Sequence, residues 1–267
     1  MIAHALTLPY RESKPRTEGL TILIDNGVPT GYFMDVVASM SEHIDFVKFG
    51  WGTSIVSPDL FAKVESLKRH NVGYFFGGTL FEKFYLQGKL DDYLSYCRHH
   101  GCSHVEISNG TIALSNRDKA GVIENFAKEF TVFSEVGFKD NERSLNLHPA
   151  RWIEYIKEDL RAGAAKIITE ARESGKSGIC RSDGEVRYGL MEEIFEAVDL
   201  PNMIFEAPNK DLQTYFIKRL GPQVNLANVA FGDAIQLETL RLGLRSDTLL
   251  SFEVKPAARS ADALNSN

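Results

Sequence analysis

Short apolar runs, β-branched or aromatic, alternate along this chain with longer stretches whose hydrophobic residues recur at helical spacing. The runs fall near 20–25, 45–49, 72–76, 103–108, 131–136, 165–170, 203–206 and 223–226. The stretches between them predict helices over Tyr32–His43, Ser57–His70, Lys89–His100, Lys119–Glu129, Pro149–Ala162, Tyr188–Ala197, Asp211–Leu220 and Phe231–Leu242. Ser57 before Pro58 reads as a helix start, and Gly101 and Gly221 as helix stops. The Ser-, Gly- and charge-rich segment 176–187 predicts a loop after the sixth strand.

Eight strands, each followed by a helix, require parallel pairing and right-handed crossovers. A doubly wound sheet would also alternate, but it carries a glycine-rich phosphate turn after its first strand. Here that strand ends in Asp25-Asn26-Gly27-Val28-Pro29, which is not that fingerprint. The pattern therefore predicts a single-domain α/β fold, a (β/α)8 TIM barrel over 19–250. Residues 1–18 read as an N-terminal extension and 251–267 as a flexible tail, small and polar from Lys255 onward.

At 267 residues, with 43% hydrophobic positions, the chain suits one large core. A net charge of −6 with mixed signs excludes a nucleic-acid groove, but leaves room for a local basic pocket that takes small anionic substrates. Cys97 and Cys102, beside His99, His100 and His104, invite a zinc reading. No second cysteine pair follows at ligand spacing, so buried thiols and surface histidines are expected instead. Residues 1–18 lack the apolar core of a signal peptide, and no run reaches the roughly 18 apolar residues of a membrane span, which predicts a cytoplasmic protein.

The candidate chemistry lies where the apolar runs end. Each closes in polar or charged residues and often glycine: Phe46-Val-Lys-Phe-Gly-Trp-Gly-Thr53, Gly73-Tyr-Phe-Phe-Gly-Gly-Thr-Leu-Phe-Glu82, Val105-Glu-Ile-Ser-Asn-Gly110, Phe133-Ser-Glu-Val-Gly-Phe-Lys139. In a barrel these exits share one mouth. That gathers Asp25, Lys48, Thr79, Glu106, Ser108, Asn109, Glu135, Lys139, Glu170, Arg172, Glu173, Glu206, Lys210, Asn225 and Asn228. Glu106, Glu135, Glu170 and Glu206 are too many like charges to stand unmatched, so lysines, arginine or a hard cation such as Mg²⁺ must neutralise them. Any one of the four, taken singly, is as readily a loop anchor as a metal ligand. Lys48, between Val47 and Phe49, is expected to point inward. Gly77-Gly78-Thr79 reads as a tight turn or an anion nest. Asn225 and Asn228 read as flanking the phosphate-binding end of the eighth strand, or as bonding a loop. Trp51 is expected to pack.

These exits carry a family resemblance. Gly19-Leu-Thr21 with Asp25, the 46–53 run, Gly77-Gly-Thr-Leu-Phe-Glu82, Val105-Glu-Ile-Ser108, Glu135-Val-Gly137 with Lys139, Glu170-Ala-Arg-Glu-Ser-Gly175, Ile204-Phe-Glu-Ala-Pro208 and Val224-Asn-Leu-Ala-Asn228 together resemble the phosphosulfolactate synthase family. The likeness runs from about Lys14 to about Thr248. It implies a lyase-type enzyme that uses Mg²⁺ to add sulfite to phosphoenolpyruvate, an early step toward coenzyme M, and a homo-oligomer. Within it, Lys139 is implied as general acid with Lys48 in the catalytic set. Asp25, Gly78, Thr79, Ser108, Arg172, Lys210, Asn225 and Asn228 are implied at the substrate, and the four glutamates at the metal. The chain departs from the family pattern at Asn26 and Phe138, where lysines are usual, and around Lys166. Two missing rim cations point to a related enzyme with another nucleophile as the second reading, and a non-catalytic stress-associated homologue as the third.

Overall fold

A computed structural model of the chain describes residues 6–252, so most of the tail expected over 251–267 lies outside the described residues. The strands are β1 (Thr21–Asp25), β2 (Phe46–Phe49), β3 (Gly73–Phe76), β4 (His104–Ile107), β5 (Thr131–Val136), β6 (Lys166–Thr169), β7 (Met203–Glu206) and β8 (Leu226–Val229). They run parallel in the order β3-β2-β1-β8-β7-β6-β5-β4. This is the expected (β/α)8 barrel, nearly closed, with backbone ladders everywhere except between β3 and β4.

Around it stand α1 (Thr30–Met40), α2 (Thr53–Val56), α3 (Leu60–Arg69), α4 (Gly78–Leu86), α5 (Leu90–His99), α6 (Asn116–Phe126), α7 (Asn141–Asn146), α8 (Pro149–Arg161), α9 (Tyr188–Ala197), α10 (Lys210–Leu220) and α11 (Ala234–Arg241). The helix expected over 57–70 starts only at Leu60, with the short α2 set apart before it, because Ser57 stays extended ahead of Pro58, as a residue before proline prefers. Helices α4 and α7 are additions to the expected set. The last strand begins three residues later than 223–226 suggests. Its approach is occupied by side-chain bonds: Arg241 donates to the carbonyls of Pro222 and Val224, and Asn225 joins Leu20 to Met203.

Strand alternation divides the core in two. Outward side chains pack against the helices, where Phe81 and Phe84 meet the Tyr93 ring and Tyr85 lies beside Phe81. Inward, Ile22, Phe75, Phe133, Ile168, Ile204 and Ala227 form a separate cluster with Phe46 against it. His104, expected at the surface, lays its ring beside Phe46 and Phe133 at 4.7 and 5.1 Å. Burial holds it neutral, lowering its pKa to about 4. The described part of the N-terminal extension grips the lower end: Arg11 pairs with Glu238, Arg16 with Asp45, and Lys14 donates to the carbonyls of Ser41, Ile44 and Asn71.

The unladdered seam is bridged by side chains. The amide of Gly78 donates to Glu106 Oε1 at 2.7 Å, Ser108 Oγ donates to Glu82 Oε1 at 2.6 Å, and the amide of Thr111 donates to Glu82 Oε2 at 3.2 Å. Lower down, Tyr74 Oη donates to the carbonyl of His100 at 2.7 Å. Glu82→Ala would leave Ser108 and Thr111 facing a buried gap without acceptors. The expected loss is about 2–4 kcal/mol of unfolding free energy in urea, with Glu82→Gln losing less because one acceptor remains.

Candidate active site

The mouth is built by moving two residues up each strand from the apolar floor. Phe46 leads to Lys48, His104 to Glu106, Phe133 to Glu135, Ile168 to Glu170 and Ile204 to Glu206. A ring of charge thus rests directly on hydrocarbon, all of it buried. Lys48 Nζ lies 3.0 Å from Glu106 Oε2, 3.2 Å from Glu206 Oε1 and 3.7 Å from Glu135 Oε2. Lys139, three residues beyond β5, reaches back to Glu135 Oε1 at 2.8 Å and Glu170 Oε2 at 3.1 Å. Backbone amides complete the cage: Ala171 and Arg172 both donate to Glu206 Oε2, and Arg172 also to Glu170 Oε1. The gap between these side chains, counted together with its opening to solvent, is about 310 Å³.

Four carboxylates face two ammoniums, and the protons respond. Burial opposes charge on Lys48, but Glu106, then Glu206 and Glu135, more than offset it and keep the ammonium charged. Lys139 behaves alike through Glu135, Glu170 and Glu82. Burial raises Glu106 to about 7, with Lys48 pulling the other way and Glu135 adding repulsion. Burial and then Glu135 push Glu170 well above the usual carboxylate range. Burial alone would raise Glu135 too, yet Lys139 and Lys48 hold it below its ordinary value. Neighbouring carboxyls are thereby driven apart, the arrangement of a site that manages protons.

Of the residues expected here, Lys48, Gly78, Thr79, Glu106, Glu135, Lys139, Glu170, Arg172, Glu173, Glu206 and Asn228 line the cavity. Five do not. Asn109 spends its side-chain amide on the carbonyl of Leu114. Asp25 turns outward, where Lys63 Nζ holds it at 2.6 Å and the amides of Gly27 and Val28 bind its other oxygen. Ser108 supports Glu82 beneath Gly78. Lys210, on the solvent side of the first turn of α10, pairs with Asp247 at 3.1 Å. Asn225 sits at the entrance of β8, not its exit, because that strand starts at Leu226. Asn228 reaches the cavity through a left-handed backbone, φ +57°, and its Oδ1 is buried without a partner. Asn26 is exposed, and neither it nor Phe138, which stacks under Arg143, lines the cavity, so both departures from the family pattern lie off the ring.

Several contributors are silent in the sequence. Trp51, expected only to pack, stands at the cavity edge. Ser177 Oγ donates to the carbonyls of Phe138 and Lys139, bracing the general-acid candidate from the long loop after β6. Behind β5, the fully buried Lys119 pairs with Asp159 at 2.8 Å and donates to the carbonyl of Glu135. Nothing in spacing distinguishes these from ordinary polar loop and helix residues.

In the cysteine–histidine cluster, Cys97 and Cys102 are buried free thiols. Among the described residues no three acidic or thiol/imidazole side chains converge as a closed cation cage. The ring nonetheless fits a hard divalent cation that keeps some of its water. Its donors are all oxygen, carboxylates outnumber ammoniums, and Glu106 Oε2 and Glu170 Oε2 are buried without an aligned hydrogen bond, their lysines standing near only as ion pairs.

A family model described as (2R)-phospho-3-sulfolactate synthase (ComA) matches residues 9–247. A phosphosulfolactate synthase from Bacillus subtilis (strain 168) is 54% identical over 245 residues, covering 91% of this chain and 97% of that one. One from Methanocaldococcus jannaschii is 41% identical over 235 residues, covering 86% and 93%. Among solved structures, a 3-hexulose-6-phosphate synthase aligns with a TM-score of 0.52 at 14% identity, over 83% of this chain and 98% of that one, a likeness of fold alone. Among the described residues no helix is long and apolar enough to cross a membrane.

Because Glu106 binds its proton more tightly folded than unfolded, it withdraws stability as pH rises from about 5 to 7, and no further above that. His104, held neutral, acts in the opposite sense between about pH 4 and 6.5, so one melting profile blends the two. Melting in EDTA should therefore show Glu106→Gln gaining on the unmutated protein from pH 5 to 7, then running parallel to it. A constant difference across that range would contradict the assignment.

Proposed function

This chain belongs to the phosphosulfolactate synthase family, and from that premise we propose that it catalyses Mg²⁺-dependent addition of sulfite to phosphoenolpyruvate. The observation that carries the reading is the mouth itself: four glutamates and two ammoniums on a dry apolar floor, open to a rim of Arg172, Asn228 and the Gly77–Thr79 turn. With Asn26 and Phe138 off the ring, nothing in the site favours a different nucleophile.

Sulfite brings its sulfur lone pair to the methylene carbon, forming the C–S bond. The double-bond electrons move toward the carboxylate, giving an enediolate, and a proton then adds to the carbon bearing the phosphate ester. Mg²⁺, held through Glu106 and Glu170 with Glu135 and Glu206 around them, would supply a Lewis acid where the carboxylate charge gathers. Lys48, protonated and clamped by three glutamates, adds fixed positive charge beneath that position. Lys139 is the more exposed of the two ammoniums and holds its proton at neutral pH, which suits it to deliver that proton to carbon and recover another from solvent. Arg172, whose guanidinium meets Glu173 only at 3.8 Å, is free to swing onto phosphate or sulfite. The amide and hydroxyl of Thr79 and the amide of Asn228 offer further donors. The three cysteines stay as free thiols, in keeping with a cytoplasmic enzyme.

Phosphorus NMR of phosphoenolpyruvate, sulfite and Mg²⁺ with the protein should show a new phosphorylated sulfonate, confirmed by mass. EDTA should stop its formation and added Mg²⁺ restore it. Lys139→Ala should lower kcat by about 10²–10⁴-fold while the protein stays folded. Intact phosphoenolpyruvate after incubation with sulfite, Mg²⁺ and folded, unmutated protein would refute the reading.

A further inference from the structure

Four non-glycine residues have a left-handed backbone among those described: Trp51, Asn71, Arg172 and Asn228. Three of them line the single mouth cavity. Asparagine tolerates that region; a bulky aromatic residue seldom does, and such strain persists only where the surroundings enforce it. At Trp51, φ +50°, the enforcement is visible. The loop enters through Gly50, whose amide donates to the Asp25 carbonyl at 2.9 Å, and a Cβ there would press on Ile24 at 3.2 Å. The Trp51 amide itself lies so near Gly77 that a Cβ on that glycine would sit 3.1 Å away.

What this posture yields is an indole with little to pack on. Trp51 is 36% exposed and, among the described residues, pairs with no other aromatic ring. The second tryptophan, Trp152, is fully buried. Beside Trp51, Ile24 is the one other large apolar side chain on a cavity wall otherwise made of charged residues, glycine, threonine and asparagine. Three strands separate β2 from β6 in either direction around the barrel, so Trp51 and Arg172 stand on opposite sides of the mouth.

We propose that Trp51 is a substrate-contacting, specificity-determining residue. Its indole forms the apolar wall against the planar carbon–carbon double bond and conjugated carboxylate of the substrate, while Arg172 faces the ligand's anionic end from across the mouth. This deepens the reading above and rests on it. A flat ring against a flat conjugated anion excludes water from the carbon that carries the developing charge, which the lysines and glutamates cannot do. It also selects enol-type three-carbon anions over saturated ones such as phospholactate, which is not planar at the reacting carbon.

Three variants and one titration test it. Trp51→Gly relieves the backbone, since glycine accepts positive φ, so its melting temperature should match or exceed that of the unmutated protein. Its KM for phosphoenolpyruvate should nonetheless rise at least tenfold and its preference over phospholactate as a competing ligand should shrink, while Trp51→Phe stays within about threefold and Trp51→Ala behaves like the glycine variant. Titrating the unmutated protein with phosphoenolpyruvate and Mg²⁺, without sulfite, should shift tryptophan emission, and Trp51→Phe should abolish the shift although Trp152 remains. An unchanged KM in Trp51→Gly with the protein folded, or an emission shift that survives in Trp51→Phe, would overturn the inference. If the unmutated protein makes no phosphorylated sulfonate, the reaction assignment itself fails, and the emission titration still decides whether Trp51 meets the ligand.

Discussion

Three glutamates converge on one ammonium in a space that water barely reaches, and most of the upper half of the barrel follows from that. A carboxylate removed from water costs several kcal/mol unless it is paired, and with four carboxyls against Lys48 and Lys139 full pairing is impossible. The imbalance surfaces as raised proton affinity on Glu106 and Glu170 and as lowered affinity on Glu135, which stands between both lysines. In the proposed reaction the same imbalance is the driving force for taking up a divalent cation and an anionic substrate together.

The backbone absorbs what the side chains leave unmatched. Amides of Gly78, Ala171 and Arg172 are aimed at glutamate oxygens, and this aim demands local geometry that helices and strands do not supply. Gly78 sits where any Cβ would collide with Ser108 and Glu106. Arg172 takes a left-handed turn to place its own N–H between two carboxylates. The loops that carry these turns are braced from outside, by Ser177 on the Phe138–Lys139 backbone and by the buried Lys119–Asp159 pair behind β5. At the opposite end, Arg241 and Arg11 satisfy carbonyls of the 19–20 and 222–224 segments and lock the lower rim. A braced base below and a concentration of left-handed turns at the mouth above is a division of labour suited to chemistry.

Much of this was legible from the chain alone. Strand exits could be located because buried parallel strands are short apolar runs, and two-residue alternation carries Phe46 to Lys48 or Phe133 to Glu135 onto one face. Six of the ring's charged groups follow from that arithmetic or lie just beyond it. Asn225 and Lys210 went astray for the same reason in two forms. Periodicity does not say where a strand begins, and a three-residue slip turned an entrance into an exit. A residue four places past a strand has already joined the next helix and faced solvent.

Trp51 and Asp25 show the other limit. An aromatic residue after a strand is usually packing, and only a left-handed φ, invisible in composition, turns this one toward the cavity. An aspartate at a strand end looks like a ligand until Lys63, 38 positions away, is seen to claim it. The order of residues by itself determined the barrel, the charge excess at its mouth and the two lysines that face it, because these depend on burial and on alternation along single strands. Tertiary structure alone decided which carboxylate meets which ammonium, which amides help, and which way each loop turns, because those outcomes depend on distances between segments that the chain brings together only on folding.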